Sequence, residues 1–167
     1  MSLLLERKSI RKFTQKPISK EDINKMLKAA MQAPSAHNQQ PWEYIVVDDR
    51  ELLDELSTAS SSAWMLKDVN VAIVPLLLPT SLSPHFAVQD MSAATQNILL
   101  EATNLGIGSV WIGVYPLKER VSIVKRVLNI KEEVNPFSMI ALGYEDGKKE
   151  TKIRYDESRV HYNKLEE

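Results

Sequence analysis

The stretch Val69–Leu78 is almost continuously apolar, broken only by Asn70 and interrupted by Pro75. It is far shorter than the roughly 20 apolar residues that span a bilayer. Its Val and Ile content suits a strand, and the lack of alternation means a strand buried on both faces. Pro75 has no N–H to donate, so the run reads as an edge strand or one that ends early.

Helical and strand patterns alternate around this run. Ser2–Lys8 can form a short helix. Ser19 is a good N-cap, with Glu21 and Asp22 in the first turn where the helix dipole favours acids. Ile23, Met26, Leu27, Ala30 and Ala33 then follow the helical period, and Pro34 ends it. Glu43–Asp48 reads as a strand and Glu51–Leu56 as a helix. The strongest helix covers about Phe86–Leu105, with Gly106 placed as its C′ residue. Gly108–Val114 is a strand, Leu117–Leu128 a helix and Phe137–Tyr144 the last strand, closed by the turn Glu145-Asp146-Gly147. Four strands in a single sheet, interleaved with helices, make the chain α+β or α/β.

The helix over Phe86–Leu105 carries small residues at its middle, Ser92-Ala93-Ala94-Thr95. Small side chains let another helix approach closely. That surface serves either packing within the subunit or a seam between two copies. The last twenty residues scatter Ile153, Tyr155, Val160 and Tyr162 with no helical period. Such a tail needs something to dock on, and a partner subunit is the natural dock.

The chain of 167 residues most simply makes one domain, 1–167. Twenty-one basic against twenty-two acidic residues leave a net charge of −1. No molecule-wide field then attracts nucleic acid or membranes, and any anion must be held locally. The absence of cysteine excludes disulfides, thiolate metal sites, iron–sulfur ligation and a cysteine nucleophile. No secretory pattern opens the sequence, and the expected location is cytoplasmic.

Four segments carry the chemistry. Arg7, Lys8, Ser9 and Arg11 crowd cations around a hydroxyl, the donor set a phosphate wants. A solvated basic turn is the plain alternative. Lys152 and Arg154 alternate, so both point to one face if extended, which suits either a second clamp for the same anion or, more simply, a surface strand. Between Pro34 and Pro41, Ser35, Asn38, Gln39 and Gln40 gather mixed donors and acceptors, suited either to the edge of a planar polar ring such as the pyrimidine side of a flavin or simply to a capped helix end with turn-forming polar residues. Finally, Gly113 near a strand end lets a backbone approach a ligand, and Trp111 can lie against a ring or simply pack in the core.

No Ser/His/Asp set and no Gly-x-Ser-x-Gly is evident. The Gly106-x-Gly108 pair lacks a third glycine and follows a helix, so it is no dinucleotide fingerprint. None of His37, His85 and His161 takes a catalytic role.

The strings RKSIRKF, APSAHNQQPW, AATQNILLEATNLGIGSVWIG, MIALGY and KIR occur in an order that resembles the FMN-dependent nitroreductase family, over almost the whole chain and in a short form. The resemblance implies an α+β fold with a central, mostly antiparallel sheet flanked by helices. It implies a homodimer with two FMN sites at the interface and a C-terminal arm exchanged with the partner. By similarity, Arg7, Lys8, Ser9 and Arg11 contact the FMN phosphate, ribityl chain and pyrimidine edge, and Lys152 and Arg154 match the late phosphate-binding pair. Pro34, Ser35, Ala36 and Asn38 approach the flavin from the other subunit, with Gln40 supporting that loop. Trp111, Ile112 and Gly113 match the segment on one ring face, with a main-chain donor near flavin N5. The implied activity passes hydride from NADH or NADPH through flavin N5 to an electron-poor small molecule, a nitroaromatic or quinone, with no catalytic side chain. A flavin-binding or redox-sensing module, or another flavin chemistry on the same fold, is the alternative.

Overall fold

The computed structural model describes residues 2–147 and 150–165. Within the anticipated tail, Lys148, Lys149, Glu166 and Glu167 lie outside the described residues, as does Met1. The helices are α1 (Leu3–Glu6), α2 (Lys20–Met31), α3 (Arg50–Leu56), α4 (Ala87–Asn104) and α5 (Lys118–Leu128). The strands are β1 (Trp42–Val47), β2 (Val71–Leu77), β3 (Gly108–Gly113), β4 (Asn135–Pro136) and β5 (Ser138–Gly143).

The sheet runs β1-β2-β5-β3, with the two-residue β4 also pairing β2. Every strand pair is antiparallel. The sheet thus has five strands where four were expected, because the strand anticipated over Phe137–Tyr144 is preceded by the short β4.

Both faces are covered, as the apolar run demanded. Ile73, Ile140 and Leu142 look toward α2 and α4, joining Met26, Ala30, Ile98 and Ala102. Ala72, Val74, Val110, Ile112, Met139 and Ala141 pack on the other side with Leu53, Leu56, Met65 and Val124. Every residue of β2 is buried.

Pro75 corrects one expectation. It lies in β2, an interior strand, facing Tyr44 of β1. Its carbonyl accepts from the Phe137 N–H at 2.8 Å, so its nitrogen faces that same side. There the pairing changes: Ile73 opposes Ile140 while Leu76 opposes Pro136, three steps against four. The extra residue is a bulge, and a proline fits at a bulge because no ladder bond is asked of it.

Local signals placed the helix ends well. The Ser19 hydroxyl accepts from the Asp22 N–H at 3.0 Å and donates to the Asp22 carboxylate at 2.8 Å. The last turn of α2 tightens, with the Gln32 and Ala33 N–H groups bonding Ala29 and Ala30, so the helix ends before Pro34. At the end of α4, Gly106 takes φ +69°. Its N–H bonds the Thr103 carbonyl and the Ile107 N–H bonds Ala102, the Schellman arrangement. The first helix is shorter than anticipated, Leu3–Glu6 instead of Ser2–Lys8.

Candidate functional site

The N-terminal basic segment lies along the free edge of β3. The Ile10 N–H donates to the Ser109 carbonyl at 2.9 Å, within a parallel bridge between Ser9 and Ser109. Two paired glycines make room for the crossing. A Cβ on Gly108 would stand 3.0 Å from Ile10, and one on Gly143 would stand 2.8 Å from the Phe13 ring. Beyond Phe13, the Thr14 N–H bonds Tyr144 and the Asp146 N–H bonds Lys12. The Lys16 ammonium sits 3.9 Å over the Tyr144 ring. Apolar anchoring at Ile10 and Phe13, both buried, therefore holds the polar residues between and before them at the surface.

Two open clefts flank Ile10. One, of about 390 Å³, is lined by Ser9, Arg11, Lys12 and the turn Glu145–Gly147. The other, of about 300 Å³, is lined by Glu6, Lys8, Gly106, Gly108, Glu145 and Thr151. Arg11 is exposed and Arg7 half-buried. Lys8 is ion-paired with Glu145 at 3.0 Å.

The two ends of the chain meet here. The Thr151 hydroxyl donates to the Glu6 carbonyl at 3.4 Å. Arg154 follows three residues later, so at most about 10 Å of extended chain separates it from that contact. Lys152 and Arg154 are both exposed.

Further along β3, the Ser109 carbonyl points to the outer edge, where Ile10 meets it, so by strand alternation Trp111 and Gly113 direct their N–H groups to that edge too. A Cβ on Gly113 would meet nothing within 4 Å, and its carbonyl accepts from the Arg120 guanidinium at 2.8 Å. The Trp111 ring packs on Phe137, centroids 5.7 Å apart and tilted by 59°. Ile112 is buried in the core. What this segment presents at the edge is main chain.

The Pro34–Gln40 loop stands apart from that cluster. Its side-chain hydrogen bonds among the described residues run within itself or to residues 80–90. His37, Asn38 and Gln40 all have positive φ, between 47° and 55°. Three such non-glycine residues in one loop need strong surrounding support. The Ser35 hydroxyl accepts from the Gln40 N–H at 3.1 Å, and the Gln40 amide donates to Asn38 at 3.2 Å. The Ala36 N–H donates to the Asp90 carboxylate at 3.0 Å.

The structure thus gathers Arg7, Lys8, Ser9, Arg11, Trp111–Gly113 and the start of the Lys152–Arg154 segment along one sheet edge. It sets Pro34, Ser35, Ala36, Asn38 and Gln40 against α4 instead. Sequence reasoning missed Ser83, Asp90 and Arg120, which reach these segments from 7 to 54 positions away. A lone acid in the first turn of α4 was the only visible hint, and it reads equally as a dipole partner.

The fold is a helix-covered antiparallel sheet with a cleft at its edge where Arg11 and Lys12 stand beside Glu145 and Asp146. The chain belongs to the nitroreductase family, whose model matches residues 4–76 and 65–144. It is 47% identical to an Archaeoglobus fulgidus protein provisionally named NADH dehydrogenase/NAD(P)H nitroreductase, over 98% of this chain and 97% of that one. Among solved structures it resembles a protein from Clostridium acetobutylicum provisionally named NADH oxidase (TM-score 0.94, 44% identity, covering 98% of this chain and 100% of that one). It also resembles an FMN-dependent nitroreductase from Clostridium difficile R20291 (TM-score 0.90, 32% identity, 98% of both chains covered).

Proposed function

We propose that the protein is an FMN-dependent oxidoreductase that draws on NADH or NADPH. The observation that carries this is that the two ends of the chain meet, Thr151 on Glu6, beside the cleft lined by Ser9, Arg11 and Lys12 at the outer edge of β3. Cations there suit a phosphate, with the guanidinium of Arg11 free of core packing to form a forked contact. The unobstructed Gly113 backbone suits a flat ring lying close to the main chain. The residues present therefore fit the cofactor.

FMN, when bound, would supply two-electron hydride chemistry between NAD(P)H and an electron-poor acceptor such as a nitroaromatic or quinone. The chain's own residues bind and polarise. Arg7, Ser9, Lys152 and Arg154 hold the phosphate end, with Lys8 oriented by Glu145. Arg11, exposed in its cleft, would face the pyrimidine edge and favour negative charge there. The N–H groups of Trp111 and Gly113 would offer hydrogen bonds along one ring edge, with Ile112 between them anchored in the core. No side chain need act as general acid, since solvent reaches an open cleft.

The working unit in this reading is a homodimer, each chain acting as one domain in the cytoplasm. Pro34, Ser35, Ala36 and Asn38, steadied by Gln40, complete the site of the other subunit. Exposure supports this: every described residue from 150 to 165 is exposed, and Ile153, Tyr155, Tyr162 and Leu165 are 68–84% exposed. Four such apolar side chains in one segment call for a cover the single subunit does not supply.

The test is optical. The purified protein should show the double visible band of bound flavin, and anaerobic mixing with NADH or NADPH should bleach it within the dead time of ordinary turnover. A colourless protein that takes up no FMN would sink the reading. Tight FMN binding with no bleaching by either nicotinamide would leave a flavin-binding module.

A further inference from the structure

The Gln39 side chain uses its full hydrogen-bonding capacity. Its amide nitrogen donates to the Asp90 carboxylate at 2.6 Å and to the Ser83 carbonyl at 2.9 Å. Its amide oxygen accepts from the Thr80 hydroxyl at 2.8 Å and from the Ser83 N–H at 3.0 Å. An amide has two donors and two acceptor lone pairs, so all four are occupied. Gln39 grips the main chain of Ser83 at both its N–H and its C=O, as a neighbouring strand would. Asp90 is 5% exposed and Ser83 8%, so these bonds are largely shielded from water. Asp90 also receives the Ala36 N–H at 3.0 Å, and the His37 ring nitrogen pairs with the Ser83 hydroxyl at 2.7 Å.

We infer that Gln39 is a positioning residue for the cofactor. It clasps the strained 35–40 loop to the Thr80–Phe86 segment and to the first turn of α4, and so holds Ser35, Ala36 and Asn38 ready for the flavin. This rests on the flavin reading above. The left-handed residues supply the reason: a loop with three non-glycine positive φ angles relaxes unless external bonds hold it. The clasp also ties the flavin-facing loop to Leu82 and Phe86, 60% and 54% exposed, so the two segments move as one body.

The experiment compares wild type with Gln39→Leu, which keeps the shape and removes all four bonds, and with Thr80→Val, which removes one. Ser19→Ala serves as a structural control, because it weakens the α2 cap without touching the clasp. Gln39→Leu should speed amide exchange in residues 36–40 and 81–86 together in the FMN-free protein. It should also weaken FMN affinity by about tenfold or more and alter the visible circular dichroism of the bound flavin. Thr80→Val should shift all three in the same direction by less, and Ser19→Ala should leave affinity and the flavin spectrum unchanged. Unchanged exchange in both clasp variants would overturn the inference. So would faster exchange with wild-type FMN affinity and spectrum, which would leave the flavin reading standing. A wild-type protein that binds no FMN overturns both.

Discussion

At the scale of single residues, Gly143 and Tyr44 show what burial demands of one side chain. Phe13 lies where a Gly143 Cβ would go, at 2.8 Å from its ring. Gly143→Ala should therefore destabilise the fold by about 1–3 kcal/mol through overpacking, read as a lowered denaturation midpoint. Tyr44 presents the opposite problem. Its hydroxyl is buried without a hydrogen-bond partner, and burial raises the phenol above its ordinary value of 10.0. The unfolded chain releases that proton above about pH 10 while the folded chain keeps it, so stability is full below pH 10 and declines as pH rises beyond it. Tyr44→Phe should leave stability at neutral pH within about 1 kcal/mol of wild type or raise it, and should flatten the alkaline decline in thermal melts. Asp22 titrates below the usual carboxylate range, chiefly through the Ser19 hydroxyl and next through Lys25. Its contribution is present above the ordinary value of 3.8 and lost as pH falls through the lowered one. Ser19→Ala should move the Asp22 titration upward by NMR and cost about 1 kcal/mol.

At the scale of elements, the N-terminal strap sets its cations in two different surroundings. Lys8 is held by Glu145 at 3.0 Å, with both side chains one quarter exposed. Arg11 is exposed in the neighbouring cleft. Arg11→Ala should slow flavin reduction or loosen FMN more than Lys8→Ala does, and stopped-flow kinetics with the reverse order would count against the assignment. The elements themselves were largely legible. Ser19 announced α2, Gly106 announced the end of α4, and the periodic apolar positions placed both helices. Pro75 was misread because a proline in a strand normally signals an edge, and the bulge that accommodates it lies on β5 and β4, more than sixty positions away. The Pro34–Gln40 loop was legible as a polar turn, but its clasp was not. Nothing near Gln39 in the chain specifies Ser83 or Asp90 as its partners.

At the scale of the whole molecule, the sheet leaves the C-terminal segment without cover of its own. Ending the chain at Gly147 should spare α1–α5 and β1–β5, which the tail does not help to build, while abolishing the proposed dimer and weakening the proposed FMN binding. Sedimentation velocity and flavin titration check this, and a truncated protein that remains dimeric with full affinity would remove the arm from the site. The small residues of α4 divide between two duties. Ala94 and Thr95 are fully buried within the subunit, and the Asn97 amide donates to the Ala29 carbonyl of α2 at 2.9 Å, while Ser92 and Ala93 remain half-buried. Packing against α2 thus takes one side of the helix and leaves the other available. By itself the sequence determined which segments are helix or strand, that the central strand is covered on both faces, and that cations gather at both ends of the chain, because periodicity, capping and charge are local properties. Only the tertiary structure decided that the two ends meet at the edge of β3, that paired glycines admit Ile10 and Phe13, and that Gln39 closes on Ser83 and Asp90. Those contacts join positions tens of residues apart, and their geometry exists only once the sheet has set its strand order and register.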